Sequence, residues 1–407
     1  MQTNTSKVIL SIAVLAAAFL FSQKVIVPNL LTLDNIKPET QLAQVTQATA
    51  TTQPLIQQPD LQYLGGFRLP RGQFGGSNFT NGGLVMAYNQ AKNSLFIVGH
   101  GDFAGPQSVA EISIPAPVNS SNILSLKTAT VLQSFADITD GHINDALTTS
   151  CAAANIVGGL LVEGSTIYSN VYCAYDNGIP SQSLALGKSG LTLSDVTDFR
   201  GFFQYNAAPQ PGRAGFLSGW ITKIPTAWQG LLGGDALVGN CCLSITNRTS
   251  WGPSAYSIKL SDIGVVNPVV PIPLLYYTGD HPLVNRTATS NIYNASTAIR
   301  GVVFPEGSRS VLYFGRQGTG TVCYGQGQDN PALHGVDVGT THMCFDPADH
   351  NKGYHVYPYQ SQILAYDAND LLAVKNGTKL PWDTVPYAII PMNFPIKTGD
   401  ARITGAA

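Results

Sequence analysis

Carboxylates, imidazoles and thiols are sparse in this 407-residue chain, so the residues whose types could do chemistry can be weighed group by group. Three aspartates, Asp102, Asp145 and Asp176, stand in polar stretches beside apolar runs. Cleaving a glycoside takes two carboxyl groups flanking the bond, one kept protonated by its surroundings. A hydrolase would draw its pair from these three. Glu163 and Glu306 do not join them, because they fall in the short turns EGST and EGSR. Histidine forms a second group: His334, His342, His350 and His355 share residues 318–359 with Asp337, Asp346, Asp349, Cys323 and Cys344. Their spacings fit no zinc pattern. DPADHNKG (346–353) lacks the alternation and closing glutamate of a calcium loop. The expectation is therefore no metal and no cofactor. No Gly-x-Ser-x-Gly elbow occurs, and no phosphate-binding glycine loop opens a helix.

The six cysteines suggest disulfides rather than thiolate chemistry if the chain is exported. Cys323 and Cys344 bracket one loop and are the first expected pair. Cys151 and Cys173 bracket the start of a repeat. Cys241 and Cys242 are adjacent, which leaves three alternatives: a bridge to each other, pairing elsewhere, or two reduced thiols.

The elements that must position these residues repeat one plan. In GGLVMAYNQAKNSLFIVGHGD (82–102), GGLLVEGSTIYSNVYCAYDN (158–177), GWITKIPTAWQGLLGGDALVGNCC (219–242) and GVVFPEGSRSVLYFGRQG (301–318), a glycine opens an apolar run, a turn follows, and a second apolar run ends in a polar cluster. Each pair is followed by two more strand-like segments, such as VAEISIP (109–115) and TATVLQSF (128–135). Four antiparallel strands per block describe the blade of an all-β β-propeller. The opening glycines Gly83, Gly159, Gly219, Gly301 and Gly405 lie further apart than the roughly 40–50 residues of an ordinary blade, so the loops must be long. Five blades are expected, with LQYLGGFRLP (61–70) as the outer strand of the last. On that count the last blade is incomplete at the C-terminus by about 30 residues, judged from ordinary strand lengths. The alternative is a four-bladed ring with a C-terminal tail.

The hairpin AYNQAKNSLFIVG (87–99), like its counterparts in the other blocks, resembles the blades of secreted bacterial β-propellers. The resemblance covers most of residues 60–407. It implies the fold and leaves function open, because propellers host lectins, hydrolases, redox enzymes and docking platforms alike.

In a blade, the start of the inner strand and the loop between the second and third strands share one rim near the axis. That rule gathers His100, Asp102, Tyr175, Asp176, Asn177, Asn240, Arg300, Arg316 and Gln317 into one candidate ligand site. Phe103, Tyr175 and Trp251 are placed to stack on a sugar ring while the polar side chains bind hydroxyls. The insertion 318–359, pinned by Cys323 and Cys344, is expected to cap this mouth.

Lys7 followed by apolar residues 8–21 reads as a signal peptide or a membrane anchor (1–22), and the Thr/Gln-rich stretch 23–59 as a flexible tether before the domain. Only 11% of residues are charged and the net charge is −2, which leaves no basic patch for nucleic acid. The reading is an exported or surface-tethered monomer that binds a glycan or cell-surface partner without catalysis. The alternative is a glycosidase-like hydrolase using Asp102, Asp145 and Asp176.

Overall fold

The computed structural model describes residues 49–80, 82–83, 85–100, 107–145, 155–173, 184–206, 214–242, 249–279, 281–285, 292–396 and 403–407. The apolar segment 8–21 and most of the expected tether lie outside them. Among the described residues no helix is long and apolar enough to cross a membrane.

The fold is all-β at its centre, and its main sheets are four-stranded, antiparallel and ordered as simple meanders. The first holds β1 (Met86–Asn89), β2 (Ser94–Val98), β3 (Val109–Ser113) and β4 (Val131–Ala136). The second holds β5 (Asn155–Glu163), β6 (Thr166–Cys173), β7 (Leu184–Gly190) and β8 (Arg200–Tyr205). The third holds β9 (Ile221–Lys223), β10 (Ala236–Val238), β11 (Ala255–Ile258) and β12 (Ile272–Leu275). A short parallel pair follows, β13 (Val284–Asn285) and β14 (Tyr293–Asn294). The fourth sheet begins with β15 (Ala298–Val303) and β16 (Ser310–Gly318).

Between those strands and the rest of the fourth sheet, the insertion folds into a small sheet of its own. It comprises β17 (Cys323–Gln328), β18 (Val336–Val338), β19 (Thr341–Phe345) and β20 (Lys352–His355), in the order β18-β19-β17-β20. The fourth sheet then resumes with β21 (Tyr359–Asp367) and β22 (Ala388–Pro391). The sequence reading treated 318–359 as a loop. It missed this sheet because CYGQGQ in β17 alternates glycine with glutamine and carries no apolar period.

Sheets that pack on both faces need strands that are apolar throughout, and every residue of β2 (SLFIV) is buried. Val98, Phe96, Val157 and Ile167 fill the space between the first and second sheets. Tyr172, Ile221, Val238 and Tyr256 fill that between the second and third, and Leu237, Leu274, Val311 and Tyr366 that between the third and fourth. The innermost strands are successive neighbours, β1 against β5, β5 against β9 and β9 against β15. This explains the glycines that open the second block. A Cβ on Gly159 would stand 2.2 Å from the carbonyl oxygen of Gly219, and one on Gly158 would stand 2.3 Å from that of Ser218.

The two end faces are covered by chain segments. Phe67, Leu69 and Phe79 pack on the outer face of the first sheet. Ile56, Leu61, Ile403 and Ala406 pack on that of the fourth. Gly66 and Arg68 bridge Val118 and Thr128, and Gly301 bridges Ala406. Residues 61–70 thus make their pairings beside the first sheet, whereas the sequence reading made them the outer strand of a last blade. The folded body also reaches back before residue 60: Ala50 is buried in the core, and the Trp228 indole N–H donates to Gln53 Oε1 at 3.0 Å.

In the third block, the stretch between β9 and β10 is a helix, Thr226–Leu232, ended by Gly233 at φ 80°. Its buried face, Trp228, Leu231 and Leu232, plugs the core between the third and fourth sheets.

Candidate functional site

The starts of the inner strands and the ends of the second strands enclose a cavity of about 40 Å³. Each main sheet contributes: Val85 and Val98 from the first, Gly158 and Tyr172 from the second, Gly219 and Asn240 from the third, and Ile299 and Arg300 from the fourth. Backbone forms part of the wall because Gly158 and Gly219 leave no room for a side chain. Gln107 and Trp220 complete the lining that the argument needs. A larger, shallow hollow of about 700 Å³ lies at the opposite ends of β10 to β12, around Gln229, Asp235 and Lys259. Asp235 there is occupied, accepting from the Leu260 N–H at 2.7 Å.

Arg300 defines the smaller cavity. It sits at a bulge in the pairing of β15 with β16, where the register skips between Ile299 and Gly301, and bulges re-aim side chains. Its side chain is reached by water yet surrounded by protein, as expected of a group that lines an interior hollow. Burial pushes its guanidinium below the usual arginine range; the nearby Tyr172 hydroxyl opposes this, while the positive Arg316 adds to it. No carboxylate is paired with Arg300 among the described residues.

The cavity's amides are oriented by the backbone. Gln107 Oε1 accepts from Val157 N–H at 3.2 Å, and Asn240 Oδ1 accepts from Cys241 N–H at 2.9 Å. In both, the NH2 end is a donor by elimination.

Arg316 stacks over the Tyr359 ring at 3.9 Å from the centroid, a cation–π contact. Tyr359 O–H donates to Asp346 Oδ2 at 2.5 Å, and His355 Nδ1 bonds the same oxygen at 2.8 Å. His355 Nε2 faces the carbonyl oxygens of Asn351 (3.0 Å) and Gly325 (3.2 Å). All its partners only accept, so both ring nitrogens carry protons and His355 is an imidazolium. Burial lowers its affinity for the proton, but the hydrogen bond and charge of Asp346 outweigh this and raise its pKa. Burial likewise raises the Asp346 pKa, and the His355 and Tyr359 hydrogen bonds carry it below the usual range. A buried ion pair therefore braces the insertion from within, and the Tyr359 hydrogen bond to Asp346 ties that pair to the fourth sheet next to Arg316.

Other residues expected at the site are distributed as follows. His100 is half-buried, with Nδ1 2.6 Å from Thr80 O. Gln317 is buried and accepts from Thr297 Oγ1 at 2.5 Å. Trp251 is 2% exposed in the core between the third and fourth sheets, so it is not a stacking surface on the rim. Asp145 is exposed and bonded to His142 at 2.8 Å. Asp102, Phe103, Tyr175, Asp176 and Asn177 lie outside the described residues. Gln107, Tyr172 and Trp220 were missed by the sequence reading. The rim rule could have found Gln107, which stands just before β3.

Cys323 is paired with Cys344, as expected, and Cys241 with Cys242. Cys173 is also disulfide-bonded, and Cys151 lies outside the described residues. His342 lies within ligand distance of the Cys323 and Cys344 sulfurs, but those sulfurs are bonded to each other and the ring binds Asp337 at 2.7 Å. Buried thiolates, which a soft metal would need, are not present in that state.

No family model matches the chain, and no curated protein does.

Proposed function

We propose that the chain is a β-propeller carrying a non-catalytic ligand site at its axis. In this reading it is exported or held at the cell surface, and it takes a glycan or a cell-surface partner at that site. The four meander sheets are four blades. A fifth position in the ring is supported by the end faces of the first and fourth sheets, which are covered by residues 56–79 and 403–407.

The observation that carries the reading is the convergence of all four inner strands on one cavity with a guanidinium and two oriented amides. Ligands of radial β folds bind where such polar groups converge. The hydrolase alternative requires two facing carboxyl groups. Asp145 is the one described member of the expected trio, and it is exposed and bonded to His142.

Native mass spectrometry of the full chain with a panel of oligosaccharides tests the reading. Intact oligomers riding on the protein support a binding module. Shortened products restore the hydrolase, and the absence of both moves the search to protein partners.

A further inference from the structure

We propose that the axial cavity is a carboxylate subsite, in which Arg300 receives the acid group of a uronate sugar. The inference rests on the reading of the axis as the ligand site and names the class of ligand.

The cavity's polar equipment consists of donors. Arg300 offers a planar fork of N–H groups suited to the two oxygens of a carboxylate. The amides of Gln107 and Asn240 turn their oxygens to backbone N–H groups. No aspartate or glutamate is among the described residues lining it. The remaining wall is apolar, with Val85, Val98, Ile156, Val157 and Ile299, so a charge inside is weakly screened. An entering carboxylate gives Arg300 the anionic partner it lacks among the described residues.

Size narrows the choice. About 40 Å³ holds roughly three water-sized groups, the space of a carboxylate with its attached carbon. A whole sugar ring does not fit. The ligand therefore enters by its acid group and keeps its body outside the cavity.

The test is calorimetric titration of the full chain with trigalacturonate and with its methyl ester, which keeps the sugar and removes the charge. The expected result is binding of the acid at least about 30-fold tighter than the ester, the loss on removing one charge-assisted hydrogen-bonded pair. Arg300→Gln should abolish that preference, and Arg300→Lys should restore part of it. Thermal unfolding checks that each variant folds; if Arg300→Gln does not, the acid-to-ester ratio in the wild type and Arg300→Lys carries the test. Equal binding of acid and ester by the wild type overturns the carboxylate subsite and leaves the glycan reading standing. Binding of neither, with binding of a polyglutamate peptide, overturns the uronate assignment in favour of a protein partner. Binding of none of the three overturns the axial ligand site itself.

Discussion

At the scale of single residues, two buried carboxylates behave in the same way for different ends. Glu111 in β3 is fully buried. It accepts from Ser94 Oγ (2.5 Å), Gln133 Nε2 (2.6 Å) and Asn89 Nδ2 (3.1 Å), with Lys92 3.5 Å away. Burial pushes its carboxyl up, but these hydrogen bonds and the Lys92 charge bring it below the usual range. A carboxyl with a depressed folded pKa stabilises the protein above its unfolded value, and that stability is lost as pH falls through the folded one. Glu111→Ala strands the buried donors of Ser94 and Asn89 and should cost about 3 kcal/mol in denaturant unfolding, with the loss shrinking in acid. The Asp346–His355 pair runs in both directions. Asp346 contributes above the ordinary carboxylate range. His355, with its pKa raised, contributes fully below the ordinary imidazole range and loses its contribution as pH rises through the folded value. Limited proteolysis within 318–359 should therefore be slowest between those limits and accelerate on the alkaline side. His355→Gln should remove that alkaline step and make cleavage fast throughout.

At the scale of elements, the insertion has two fastenings that can be cut separately. Cys323 and Cys344 join β17 to β19 across a sequence separation of 21. Replacing both with alanine should cost about 3 kcal/mol by loop-closure entropy, seen as earlier proteolysis of 318–359 while the four main sheets keep their melting temperature. The main strands were legible because each block pairs two apolar runs across a turn, and even the third and fourth segments of every block became strands. The helix Thr226–Leu232 was not, because Trp228, Leu231 and Leu232 show helical spacing over too few residues to be told from a turn. The rim rule placed Arg300 and Asn240 on the cavity wall from strand order alone. It misplaced Trp251, since a tryptophan in a Gly/Pro/Ser-rich stretch reads as exposed while packing between two sheets buries it.

At the scale of the whole molecule, the inner strands depend on bare backbone. Gly159→Ala drives a methyl group into the Gly219 carbonyl and should lower stability by about 1–3 kcal/mol, read as a drop in melting temperature. Gly230 in the helix meets nothing within 4 Å. Gly230→Ala is the matched control and should raise stability by about 0.5–1 kcal/mol. The outer faces of the fourth and first sheets differ from the faces between successive sheets. Segments 56–79 and 403–407 cover them through side chains and isolated bridges, where neighbouring sheets pack directly elsewhere. Few backbone hydrogen bonds must break for such a covering to lift. Amide hydrogens of Gly66, Arg68 and Ala406 should exchange fastest, and those of β2, β16 and β21 slowest. The coverings of the two outer faces are therefore the first parts of the fold to loosen, before the four sheets part from one another.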